Sequence, residues 1–168
     1  RRFNLGFLLV FFFLSGCGQD RNVEFFKETE AYELARAIAD NDTSLIKKLV
    51  KEKPSLLKVT AYKTGSDALD LALYLENYEA FKKLLDLGSD PNFINPLTKR
   101  TPLIEACRFY EKPETYTIEL KYIQLLLERG ADPNYVVDYD FKNYKGHHQS
   151  ATSALHEASN INLSMVKL

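Results

Sequence analysis

Thr101-Pro102-Leu103-Ile104-Glu105-Ala106-Cys107, followed further along by Leu125-Leu126-Leu127-Glu128-Arg129-Gly130-Ala131-Asp132-Pro133-Asn134, is the stretch whose reading decides the fold. Pro102 suits the first turn of a helix, where its missing N–H costs nothing, and Thr101 before it is a good N-cap. Leu103, Ala106 and Cys107 fall on one helical face at i, i+3 and i+4. A second helix is expected to carry Leu120, Ile123, Gln124 and Leu127 down one side. Gly130 stands where a helix stop needs a left-handed residue, and Asp132-Pro133-Asn134 reads as a turn. The unit is therefore helix, loop, helix, glycine stop and turn.

This unit closely resembles the ankyrin repeat, whose opening has the form T-P-L-H-x-A and whose period is about 33 residues. Gly-Ala-Asp-Pro-Asn resembles that family's inter-repeat turn. The pattern recurs upstream as Asp67-Ala68-Leu69-Asp70-Leu71-Ala72, closing Lys83-Leu84-Leu85-Asp86-Leu87-Gly88-Ser89-Asp90-Pro91-Asn92. From opening to glycine the upstream copy takes 21 positions, Asp67 to Gly88, and the central copy 29, Thr101 to Gly130. An insertion of about eight residues around Tyr110 to Thr117 accounts for the difference against the family period.

Downstream, Ser153-Ala154-Leu155-His156-Glu157-Ala158 opens a further copy, and the sequence stops in mid-helix at Leu168. Upstream, Leu34-Ala35-Arg36-Ala37-Ile38-Ala39 and Leu45-Ile46-Lys47-Lys48-Leu49-Val50 form a degenerate first copy that ends Lys53-Pro54-Ser55 in place of a glycine. Terminal repeats are commonly atypical, because they need one polar outer face. The resemblance implies an all-α ankyrin-repeat solenoid over residues 31–168, with copies at 31–64, 65–97, 99–137 and an incomplete 151–168. Stacked helix-turn-helix units would be joined by short hairpin-like fingers, and the solenoid is expected to be C-terminally truncated. Helix pairs are expected over about Ala31 to Glu52, Ala68 to Leu87 and Pro102 to Arg129.

The N-terminus is the second informative stretch. Arg1-Arg2 precedes the apolar run Leu5 to Leu14, the layout of a secretory signal peptide over residues 1–16. Leu14-Ser15-Gly16-Cys17 resembles the bacterial lipobox, which implies cleavage before Cys17 and a lipid on its thiol. The alternative is a buried N-terminal helix that happens to contain a cysteine, but no polar face occurs between Leu5 and Leu14. The first residue is Arg, so the true start is expected to lie upstream. Removing residues 1–16 takes two arginines from the 22 Lys and Arg and leaves the 23 acids, a mature charge of −3. The several acyl groups such proteins carry would anchor it stably. By resemblance to the sorting rule of enteric bacteria, Gly18 points to the outer membrane. Residues 17–30 are expected to be a lipidated polar tether whose Phe25 and Phe26 cover the open end of the first repeat.

The near-neutral balance of the whole sequence, −1, gives no basic footprint for nucleic acid. There is no Gly-rich phosphate loop, nucleophile elbow or metal-helix motif, so no catalytic residue, cofactor or metal is assigned. Cys107 occupies a small buried position, where a thiol packs well; a catalytic one would need a base and exposure. His147-His148 lacks a third ligand, and His156 stands at the histidine of the T-P-L-H pattern, a structural position. The unusual content lies in the fingers. Phe93, Asn95, Lys99 and Arg100 form one. The longer one, running from Tyr135 to Gln149, carries Tyr135, Tyr139, Phe141 and Tyr144, and tyrosine-rich loops suit recognition because they give large contact area at low entropic cost.

These features point to a lipid-anchored module of the bacterial envelope that binds another protein through its fingers and first helices. An inhibitor or immunity protein for a toxin or envelope hydrolase is a sharper version, and an enzyme or a passive spacer are the competing classes. The long finger is expected to be dispensable for folding. Should it instead be core cover, the first helices around Asp70, Tyr74, Glu105 and Arg108 become the alternative surface. Expressed with its full N-terminus, the protein should partition with membranes and yield an acylated Cys17 by mass spectrometry. Cys17→Ser should lose both properties, and an unmodified mature Cys17 would overturn the anchor.

Overall fold

The computed structural model describes residues 19–108, 116–137 and 152–154. In sequence order these form α1 (Gln19–Glu24), α2 (Tyr32–Ala39), α3 (Thr43–Glu52), a 3-10 turn (Pro54–Lys58), α4 (Ala68–Tyr74), α5 (Tyr78–Asp86), α6 (Pro102–Arg108) and α7 (Tyr116–Glu128). Two short strands, β1 (Val136–Val137) and β2 (Thr152–Ser153), pair antiparallel with Val136 opposite Ser153. The helices make three successive hairpins, α2–α3, α4–α5 and α6–α7, at the expected places. Within the stack α2 packs on α4 and α4 on α6, forming an inner row, while α3 packs on α5 in an outer row.

Local chemistry sets the helix ends. Asp42 caps α3 by accepting the Ser44 and Leu45 N–H groups at 3.1 and 2.9 Å. Asp67 caps α4 through the Asp70 N–H at 2.9 Å, and Thr101 caps α6 through the Ile104 N–H at 3.4 Å. The outer helices α5 and α7 end at Gly88 and Gly130, with φ of +97° and +84°, the left-handed stops the sequence leads one to expect. The first pair has no glycine. There Pro54 cannot prolong α3, and the 3-10 turn that follows tucks Leu56 and Leu57 into the core.

The inner helices are only seven or eight residues long, and isolated helices of that length are not stable in water. They persist because each is enclosed by its neighbours. All but one residue of α4 and of α6 are buried. Amide side chains then fasten one hairpin to the next. Asn77 donates to the Ile38 and Ala39 carbonyls at 2.7 and 3.2 Å, while Asn41 accepts the Ala80 N–H at 3.1 Å. One turn further on, Asn92 donates to the Gly130 carbonyl at 2.9 Å and accepts the Asp132 N–H at 2.7 Å. The Asp-Pro-Asn turn is thus a latch between repeats as well as a turn.

Three expectations need correction. On α7 the buried residues are Tyr122, Ile123, Leu125 and Leu126, whereas Gln124 and Leu127 are exposed. A single-stripe reading fails there because α7 must face both its own α6 and the preceding α5, against which Tyr122 sets its ring edge-on to Tyr78 and Phe81, with centroids 5.2 and 4.9 Å apart. The region after Gly18 is not simply a polar tether. α1 packs on α2, with Val23 and Phe26 in the core, and the Thr29 hydroxyl donates to the Phe26 carbonyl at 2.7 Å. The base of the long finger is also structural, since Val137 is buried and β1 is paired with β2. The deletable part of that finger therefore begins after Val137. Residues 109–115, which hold most of the expected insertion, lie outside the described residues, and Tyr116 and Thr117 belong to α7.

Leu84 and Leu126 are fully enclosed in the outer row, so Leu84→Ala or Leu126→Ala should each cost roughly 2–5 kcal/mol in urea melts. Tyr122 should behave oppositely. Its hydroxyl is buried without a hydrogen-bond partner, so Tyr122→Phe should leave stability unchanged or raise it by about 1 kcal/mol. A loss comparable to the leucine variants would contradict this packing.

Candidate binding surface on the finger tips

The first two fingers share one construction. Ala61 N–H donates to the Ser66 carbonyl and Gly65 N–H to the Ala61 carbonyl, both at 2.8 Å. Asn95 N–H donates likewise to the Arg100 carbonyl at 3.0 Å, and Lys99 N–H to the Asn95 carbonyl at 2.8 Å. Gly65 and Lys99 hold the same left-handed position, with φ of +68° and +59°. Only Gly65 is also hemmed in, because a Cβ there would lie 2.6 Å from Asn95 Oδ1. Asn95 is what occupies that space. It donates to the Thr64 carbonyl at 3.1 Å and to Asp70 Oδ2 at 3.4 Å, and accepts the Leu97 and Thr98 N–H groups at 2.9 and 3.1 Å. One side chain therefore shapes the second finger and joins it to the first finger and to α4.

The finger residues singled out from sequence divide accordingly. Asn95 is buried, so its polar atoms are spent inside the stack and not on a partner. Arg100 reaches Glu105 at 3.4 Å, and Arg108 reaches the same carboxylate at 3.1 Å. Phe93 is half-buried and Lys99 exposed. Tyr135 turns its hydroxyl onto the Lys99 carbonyl at 3.0 Å, tying the third finger to the second. Tyr139, Phe141, Tyr144, His147, His148, His156 and Cys17 lie outside the described residues. Cys107 is buried, as its small-residue position requires.

Sequence reading missed the side chains that stand out most. Among the described residues the exposed large hydrophobics are Tyr62 at 74%, Leu97 at 59%, Val136 at 52%, Ile94 at 46% and Leu127 at 39%. Four of those five are on fingers. A single exposed apolar residue needs no explanation, but a concentration on one edge marks an interaction surface. Their signal in the sequence was only their place between two helix patterns. Beside Tyr62 and Leu97 lies a cavity of about 360 Å³ walled by α1, α4 and both finger tips.

Behind the fingers sits a buried polar cluster. Asp67 is enclosed at the N-terminus of α4, and burial pushes its carboxyl up to about 7, against the pull of the Asp70 and Leu69 N–H groups. Burial, together with the charge of Asp67, raises Asp70 well above the usual carboxylate range. Tyr74 is raised by burial and by the nearby Glu105 and Asp70. Asp70 and Glu105 are therefore interior residues that hold the fingers, not parts of an open surface. Among the described residues no three His, Cys, Asp or Glu side chains meet as a metal ion would need, and no helix is long and apolar enough to cross a membrane.

Stacked helix hairpins, glycine stops and projecting fingers define an ankyrin-repeat solenoid. Comparison with known proteins agrees. Over 99 residues, 59% of this chain, it is 35% identical to "Ankyrin repeat, SAM and basic leucine zipper domain-containing protein 1" of Oryctolagus cuniculus, covering 19% of that protein. The protein of the same name from Saimiri boliviensis boliviensis is 32% identical over 108 residues, 64% of this chain and 21% of its own length. That from Ovis aries is 34% identical over 99 residues, 59% and 19% respectively. The chain thus matches about a fifth of the length of these relatives, and the likeness supports an ankyrin-repeat family and a protein-binding module. No family model matches the sequence.

The buried acids fix a direction for pH dependence. Asp67 and Asp70 hold their protons more tightly folded than unfolded, where the usual value is 3.8. The contribution of Asp67 is fully present below about pH 4 and is lost as pH rises through about 7, and that of Asp70 changes in the same direction. The urea midpoint of the wild type should therefore fall between pH 5 and 7.5. Asp70→Asn, which keeps an acceptor for Asn95, should flatten that slope, and an unchanged slope would show that these carboxyls do not titrate with folding.

Proposed function

We propose that this protein is a lipid-anchored module of the bacterial cell envelope that binds another protein through its finger tips. The carrying observation for binding is the concentration of Tyr62, Ile94, Leu97 and Val136 on the fingers of an otherwise well-buried stack. The fingers are held rigid by Asn95, Gly65 and the Tyr135 hydroxyl, so little ordering cost is left to meet on association. Tyr139, Phe141 and Tyr144 follow Val136 and Val137 in the sequence of the long finger.

Anchoring rests on Arg1-Arg2, the apolar run and Leu14-Ser15-Gly16-Cys17, with Gly18 favouring the outer membrane. Helix α1 begins at Gln19. A lipid on Cys17 would then hold the stack close against the bilayer instead of on a long leash.

The test is affinity capture from membrane extracts. Tyr62→Ser with Ile94→Ser and Leu97→Ser alters exposed side chains, so melting should shift little, within about 0.5 kcal/mol per site. Partner yield should drop at least tenfold, since apolar anchors dominate most interfaces. Replacing residues 138–149 by a short Gly-Asn turn should do the same while sparing Val137. Undiminished capture by both variants would place the binding surface elsewhere.

A further inference from the structure

The cavity beside the first finger deepens this reading by indicating what kind of partner it fits. It is built from parts of different origin: Phe25 and Phe26 come from the segment before the repeats, Leu71 and Tyr74 from α4, Lys63 from the first finger and Leu97 from the second. At about 360 Å³ it sits at the small end of the range for ligand pockets, roughly 300–1,000 Å³. That volume suits one bulky side chain. Its walls are largely apolar, and none of its lining residues is acidic among the described residues.

Among the described residues the single charged lining residue is Lys63. Its ammonium lies 5.9 Å from the Phe25 ring centroid and 5.7 Å from that of Tyr62, and no carboxylate pairs with it among the described residues. The neighbouring acids are engaged elsewhere. Glu24 is held by Lys27 and Tyr32, and Glu30 by Lys53. Asp70 and Glu105 are enclosed behind the fingers. Among the described residues, the mouth of an apolar pocket is thus left with one uncompensated positive charge over two aromatic faces.

We infer that this pocket receives a bulky apolar side chain from an acidic segment of the partner protein, with the side chain entering between Phe25, Leu71 and Leu97 and an adjacent carboxylate meeting Lys63. The inference rests on the finger-tip reading but makes a separate demand. Fingers alone require only an apolar surface, whereas the pocket requires an anchor of limited size and negative charge beside it. Most of the affinity comes from burying the anchor. The exposed ion pair contributes less and sets the sign of the preference.

Ser-Glu-Phe-Glu-Ser-amide carrying fluorescein on its N-terminal amine, titrated with the full-length protein and followed by anisotropy, tests it. Binding should weaken about tenfold or more when Phe is replaced by Ala, and several-fold when both Glu residues become Lys. Lys63→Glu changes an exposed side chain and should reverse the preference between the acidic and basic peptides. Equal binding of the two peptides, indifference to Lys63→Glu, or no binding at millimolar peptide would overturn the inference, as would self-association of the protein abolished by Lys63→Glu. Failure of the peptides alongside intact finger-dependent capture rejects the pocket alone. Peptide binding that survives while capture ignores the finger variants rejects the finger reading and leaves the pocket standing.

Discussion

The structure depends on one constraint: no hairpin in this protein can bury its own apolar surface. Helix α4 is seven residues long and has only Tyr74 incompletely buried. It is helical because α2 lies on one side and α6 on the other. Stability in such a stack is a sum of weak units and the interfaces between neighbours, which places fully enclosed Leu84, Leu126 and Phe81 where it is gained. The same logic explains α1. An open end of α2 would expose Leu34 and Ile38, and Val23 and Phe26 close it without another repeat.

Apolar contact gives little sense of register, and short amide side chains supply it. Asn41, Asn77 and Asn92 each reach across a repeat boundary to backbone groups, satisfying the donors and acceptors that helix ends and turns leave open. Asn95 does the same for the fingers, at the expense of burying its amide beside Asp70. These contacts fix the angle and spacing of the fingers. A surface made of tips depends on that spacing, since Lys63 and Leu97 belong to different repeats and line one pocket only if the repeats keep their distance.

The buried acids sit close to the pocket wall, since Tyr74 lines the pocket and is raised by the nearby Glu105 and Asp70. Asp67 and Asp70 are tolerated inside because they accept backbone and amide N–H groups and retain protons readily. Glu105 is met by two arginines. With the acids neutralised in the interior, Lys63 is left at the pocket mouth as the unbalanced charge. The basic character of this mouth is thus a product of packing in a protein whose net charge is only −1.

Much of the fold was legible in the sequence because its signals are local and periodic. Thr101-Pro102, the Gly88 and Gly130 stops and the Asp-Pro-Asn turns each act within a few residues, and their recurrence gave the hairpins and their order. The face of α7 was not legible, since a helix pressed between two neighbours buries more than one stripe and hides its periodicity. Nor was the helix α1, whose polar residues read as a tether and whose Val23 joins the core, although Phe26 covers the first repeat as its sequence led one to expect. Asn95 looked like a tip residue by its place in a loop. Only the approach of Gly65 from the preceding repeat showed it to be a bolt between fingers. Sequence by itself determined the repeating unit, because helix caps and stops are written in adjacent residues. Tertiary structure decided which side chains face a partner, because exposure depends on neighbours some thirty residues away in sequence, at the repeat spacing.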